Sequence, residues 1–525
     1  MRIRFVSLLL LAAAAAPLAI AQGQHGGQLG SVKFPVTCNE PAQAQMHTAV
    51  AMLHSFWFTE ARKTFESVVQ ADSTCGIAYW GVALTNFGNP MAGGSTGPAQ
   101  ADGWKAAQKA AQIGGHSERD RAYIDAAVAL YRDYATVDNA TRMRAYEAAL
   151  QSIVTRFPED TEAVIFHGIF LVATAPPGDL TFTQQKKAAD VLTALYRRYP
   201  NHPGLAHYII HAYDSPPLAK NALEAARQYA SIAPAAPHAV HMPSHTFTRL
   251  GYWDESIKTN RRSVDLEPTP AAKSHAADYM VYAYLQQGRD SAALGVIREV
   301  GGDATGVYST GALGSYNALA MPARYALERD DWASAAALKV TSTTPSAEAV
   351  THFAKGLGAA RSGNLATARQ EAAALEKMTA DLTAQKDAYW ARVVDAQRMA
   401  VSAWISHAEG RHAEALQLAR AAAEKEEQGE KHPITPGPLI PARELLGDIL
   451  LVHQQPAEAL VAYEATLQRE PNRARTLAGA ARAARAAGKK DLAEKYYRSL
   501  IGVMDPQSGR VELKEAKQVV PRGGG

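Results

Sequence analysis

The chain has 525 residues, of which 47% are hydrophobic, 20% charged and 8% aromatic, which supplies material for buried cores and excludes general low-complexity disorder. Its 54 lysines and arginines stand against 51 aspartates and glutamates, so no overall charge draws it to nucleic acid or to an anionic membrane. Two cysteines are too few for a multi-disulfide scaffold or a zinc site built on thiolates.

At the N-terminus, Arg2 and Arg4 precede an almost wholly apolar run over 6–16, and Pro17 precedes Ala19-Ile20-Ala21. This pattern predicts a signal peptide over 1–21 with cleavage after Ala21. No later stretch reaches about 18 uncharged apolar residues, so no transmembrane segment is expected after cleavage. The expected location is periplasmic or secreted, where Cys38 and Cys75 either form one disulfide or stay free thiols. Helical hairpins are expected over 22–86. Irregular hairpins follow over 87–204, interrupted by Gly/Pro-rich breaks at 88–98 and 176–178. Regular units occupy 205–300 and 301–505, and 506–525 reads as a flexible tail.

The regular units have a period of 34 residues. Ala222 and Ser256 are 34 apart, as are Pro234 and Pro268; Gly447, Ala459, Tyr463 and Pro471 repeat the grammar, and Ala493 and Tyr497 follow 34 residues after Ala459 and Tyr463. Small residues at fixed places let helices approach closely. This resembles the tetratricopeptide repeat, two antiparallel helices closed by a proline. The expected fold is all-α: a tetratricopeptide-like α-solenoid, a right-handed superhelix of roughly ten to twelve hairpins. The stretches HPGLAHYIIHAYD from His202 and APHAVHMPSHTFTRLGYWDESI from Ala236 further resemble a bacterial family of exported tetratricopeptide-repeat proteins, a likeness that implies the fold and no activity.

Taking Ala222, Ser256 and Ala293 as position 20 puts His207 and His211 at positions 5 and 9 of their unit. His238, His241 and His245 take positions 2, 5 and 9 of the next unit, and His275, Asp278 and Tyr282 the same positions of the third. Residues three or four apart share a helix face, and the repeat resemblance implies that this face lines the concave groove. Paired imidazoles one turn apart suit a transition metal, with a neighbouring helix completing the set. His207, His211, His241 and His245 are therefore expected to share one ion. His238 and His275 extend the cluster, and Asp214 and Asp278 are further candidate ligands, Asp214 alternatively orienting a histidine. Zn²⁺ suits such a set, with Cu, Ni, Mn and Fe open. The competing reading is a set of hydrogen-bonded core histidines copied by repeat duplication.

Pro237 is expected to start the helix carrying His241 and His245, and Pro243 to kink it. Met321-Pro322-Ala323-Arg324 repeats Met242-Pro243-Ser244-His245 with Arg324 in place of His245, and Ala320 stands in place of His241. Tyr282, Arg324, Glu444 and Asp448 are candidate residues of the ligand groove; Arg443 and Lys431 offer the last two a local salt bridge instead. The acidic run Glu424, Glu426, Glu427 and Glu430 reads as a solvated helix end, and 311–314 as a loop or helix start. No GxSxG, HExxH, P-loop or GxGxxG pattern has its required context. Two functions remain: an exported scaffold holding a peptide, protein or small ligand in its groove around a divalent-metal site, or a metal-dependent, hydrolase-like enzyme in which Asp214 or Asp278 handles the proton.

Overall fold

The computed structural model describes residues 28–308 and 315–520. The signal peptide expected over 1–21, the 311–314 stretch and residues 521–525 lie outside the described residues. Among the described residues every regular element is helical, and the one isolated β-bridge joins Gly302 and Tyr308. The fold is a tetratricopeptide-like α-solenoid.

Local chemistry sets the helix ends. Prolines occupy the first turn of the Pro98–Ile113, Pro203–Ala212, Pro237–His241, Pro270–Gln286, Pro345–Arg361 and Pro456–Arg469 helices, where no backbone N–H is needed. Asn39, Asp138, Asp331, Asn364 and Asp387 cap other helices through their side chains, each satisfying a donor the helix leaves orphaned. Small residues fix the packing. The Tyr463 ring lies between Gly447 and Gly479, and a Cβ on either would sit 2.8 or 2.5 Å from it. Gly81 faces Phe65 in the same way.

The array folds back on itself. The indole N–H of Trp253 donates to the Asn472 carbonyl at 3.0 Å, and Ala474 N–H donates to Gln286 Oε1 at 3.0 Å. Arg510 pairs with Asp290, and Asp505 N–H donates to the Gln287 carbonyl at 2.8 Å. The tail expected to be flexible therefore carries the Val511–Val519 helix, with Leu513 and Ala516 buried. Its apolar positions find a covering surface that lies far away in sequence. At the other end, Cys38 and Cys75 are disulfide-bonded. The helix carrying His241 and His245 is divided into Pro237–His241 and Pro243–Arg249, because Pro243 has no N–H to continue the ladder.

Candidate metal centre

Six histidines meet on the inner face of the Pro203–Ala212, Pro237–His241, Pro243–Arg249 and Pro270–Gln286 helices. Their ring nitrogens form two groups, His207 with His211 and His238, and His241 with His245 and His275; within each group the candidate ligand atoms lie within 4.8 Å of one another. The four histidines expected to share one ion, His207, His211, His241 and His245, are thus divided between the two groups. Positions 5 and 9 of one unit supply a pair, and position 2 of the following unit closes it. The groups abut, with ring centroids 5.8 Å apart for His238 and His241 and 6.0 Å for His211 and His245.

Hydrogen bonding fixes the protons of the second group. Nδ1 of His245 faces Asp214 Oδ2 at 2.9 Å, and Nδ1 of His275 faces the Ile434 carbonyl at 3.0 Å. Nδ1 of His241 lies 2.6 Å from Asn260 Oδ1, whose amide is oriented by its NH₂ donating to the Ser256 carbonyl at 2.7 Å. Carboxylate, carbonyl and amide oxygens can only accept, so each Nδ1 carries the proton and each Nε2 presents a lone pair. Nε2 of His241 and Nε2 of His245 then face each other at 3.1 Å with no proton between them. Two opposed lone pairs repel, and a cation between them reverses the sign of the interaction.

Burial pushes His207, His211, His238 and His241 well below the ordinary imidazole range, reinforced by the neighbouring rings. It takes His275 down to about 3. In His245 burial also lowers the value, and Asp214 opposes it. Each of these shifts favours the neutral ring, the state in which imidazole ligates.

Asp214 accepts from His245, from Arg249 Nε at 2.9 Å and from Lys431 Nζ at 3.0 Å. Although burial alone would raise its carboxyl, Lys431 and Arg249 hold it well below the usual range. Asp278 is removed from the ligand set, because the Arg324 guanidinium takes it at 2.9 Å inside the core.

The four residues expected to line a ligand groove are engaged within the protein. Arg324, fully buried, also donates to the carbonyls of Pro438 and Gly437 and to Thr435. Tyr282 donates to Glu470. Glu444 is bound by Arg473 and Arg475, and Asp448 by Arg475 and Tyr463. The chain's own 431–441 segment fills this part of the concave face, and the salt-bridge partners of Glu444 and Asp448 are Arg473 and Arg475, not Arg443 and Lys431. The acidic run is likewise not all solvated: Glu426 accepts from the Ala442 N–H at 2.8 Å, and burial pushes its carboxyl up to about 7.

No family model matches the sequence, nor does any curated protein. The chain is similar to solved helical-repeat structures at low scores. A tetratricopeptide repeat protein from Parabacteroides merdae is 13% identical with a TM-score of 0.29, covering 54% of this chain and 98% of its own. Yeast Tom70 is 9% identical with a TM-score of 0.34, covering 91% and 96%. The P58(IPK) TPR domain is 16% identical with a TM-score of 0.21, covering 69% and 98%. Such values say nothing of what this chain binds.

Sequence reasoning missed Asn260 as the partner of His241, the His54 carbonyl as the partner of His207 and the Ile434 carbonyl as the partner of His275. Asn260 had a usable signal, since it stands four residues after Ser256 on the repeat frame; the backbone carbonyls had none. Two further groups also escaped notice. His54 and His202 flank Glu162 at 2.8 and 3.0 Å, and Nδ1 of His202 is buried without a hydrogen-bond partner. His407, His412 and His453 form a third triad at the surface of the C-terminal units.

Proposed function

We propose that this protein is an exported α-solenoid that holds a divalent transition-metal ion, zinc or copper in class, through Nε2 of His241, His245 and His275. The observation that carries the reading is the set of three acceptors, Asn260, Asp214 and the Ile434 carbonyl, that leave Nε2 as the lone-pair atom of all three rings, with Nε2 of His241 and of His245 3.1 Å apart and a ring nitrogen of His275 within 4.8 Å. Outer-shell partners of this kind fix the tautomer and orientation of metal-bound histidines. Neutral imidazoles without thiolate or directly coordinating carboxylate suit zinc and copper over calcium or magnesium. Export is supported by the N-terminal sequence pattern and by the Cys38–Cys75 disulfide, a bond favoured in oxidising compartments.

The concave face of the middle units is filled by residues 431–441, so we assign its ligand to the metal rather than to a peptide or protein partner. Asp214 and Asp278, the proton carriers of the hydrolase-like alternative, are each paired with an arginine. The test is metal content. Protein purified without affinity-tag histidines, stripped with chelator and offered Zn²⁺ or Cu²⁺, should retain the ion through gel filtration, and His241→Ala with His275→Ala should remove the ion of this centre. Failure to retain zinc, copper, nickel, iron or manganese would return the histidines to a purely structural role.

A further inference from the structure

We infer that the centre is dinuclear, with a second ion of the same class bound by His207, His211 and His238; this rests on the metal reading of the neighbouring triad. The unpartnered His211 points to a cation, and the His207–His238 pair beside it supplies further ring nitrogens.

His211 is 5% exposed, and neither of its ring nitrogens has a hydrogen-bond partner in the protein. A neutral imidazole always presents one N–H and one lone pair, so both are stranded in a dry environment where polar groups are normally satisfied. One ring nitrogen points into the group it shares with His207 and His238.

Nδ1 of His207 faces the His54 carbonyl at 2.7 Å and must carry the proton, which leaves its Nε2 as a lone pair directed at His238 Nε2, 3.2 Å away. The Phe56 ring packs on this group, with centroids 4.4 Å from His207 and 5.3 Å from His238, and so keeps water from one side. The oriented histidine, the apolar wall and the unpartnered imidazole together form a ligand set that an ion completes.

The two pockets share a wall. His238 and His241 stand three residues apart on the Pro237–His241 helix, so their side chains are neighbours on one face, each serving a different triad. The break at Pro243 then lets His245 close the second pocket. Both triads consist of imidazole alone, so the second ion is also zinc or copper in class.

Stoichiometry tests the inference on the full mature chain. Apoprotein titrated with Zn²⁺ should take up two ions per chain; His238→Ala and His275→Ala should each leave one, and the double variant none, with circular dichroism confirming that each variant remains helical. Loaded with Cu²⁺, the wild type should show less electron paramagnetic resonance intensity than its copper content, because neighbouring ions couple. One ion per chain, lost with His275→Ala and retained with His238→Ala, would overturn the second site and leave the first intact. One ion lost in either variant would mean a single shared site and overturn the dinuclear arrangement. No ion at all would overturn both readings. All titrations use a His407→Ala, His453→Ala background that lacks the surface triad, and the stoichiometry of that background decides even if a further variant fails to fold.

Discussion

Replacing Asn260 with alanine tests the centre without touching a ligand. Asn260 is fully buried, and its Oδ1 is the acceptor for His241 Nδ1–H at 2.6 Å. Without it, the N–H has lost its partner, and the proton can move to Nε2, where it blocks coordination. An unsatisfied buried donor costs about 1–3 kcal/mol, and loss of an outer-shell partner lowers metal affinity by about 10–100-fold, or about 1.4–2.8 kcal/mol. Competition against a chromophoric chelator should show that loss for Asn260→Ala. Asn260→Asp keeps an acceptor and adds charge opposite the N–H, so it should bind at least as tightly as the wild type. If Asn260→Ala lowered the unfolding temperature of the apoprotein but left the metal dissociation constant unchanged, Asn260 would be only a packing partner and the tautomer argument would fail.

Arg473→Met should destabilise the fold by about 3–5 kcal/mol in chemical denaturation, because it strands Glu328 in the interior and leaves Glu444 with Arg475 as its one cationic partner. Glu444 also predicts an acid limb. Burial alone would raise its carboxyl, but Arg473 and Arg475 hold it down to about 2 from 4.5; because the folded value is the lower one, its contribution, on the order of 3 kcal/mol, is present above pH 4.5 and lost as pH falls toward 2. Unfolding free energies at pH 7 and pH 3, compared between the wild type and Glu444→Gln so that the opposite contribution of Glu426 cancels, check the sign, and a wild type that loses no more stability than the variant on acidification would refute it. Reduction of Cys38–Cys75, which closes a loop with a sequence separation of 37, should cost about 4 kcal/mol by loop entropy, read as a fall in melting temperature with dithiothreitol. Gly479→Ala, placing a Cβ 2.5 Å from the Tyr463 ring, should cost about 1–3 kcal/mol, although alanine is the better helix former.

How much was legible follows the range of the interactions. A repeat period fixes which helix face a residue occupies, so the slots of His207, His211, His241 and His245 could be read from spacing alone, and Pro243 announced the break in its helix. What spacing could not show was how neighbouring faces divide their ligands. His238 and His275 close the two triads because position 2 of one helix lies beside positions 5 and 9 of the preceding unit. The return of 431–441 and 470–475 across the concave face was illegible: His275 meets Ile434 at a separation of 159 residues, and Trp253 meets Asn472 at 219. No local pattern encodes such contacts. They are the reason Tyr282, Arg324, Glu444 and Asp448 lie in a buried ionic core where the repeat frame alone suggests an open groove.

The central claim is that three lone pairs converge on an ion, and anomalous diffraction at the zinc edge from crystals of zinc-loaded protein tests it most directly. A peak is expected about 2.0–2.1 Å from Nε2 of His241, His245 and His275, with Asn260, Asp214 and the Ile434 carbonyl still on the three Nδ1 atoms. Zinc-loaded crystals with no peak there, or with a peak bound through Nδ1 and those three contacts broken, would contradict it.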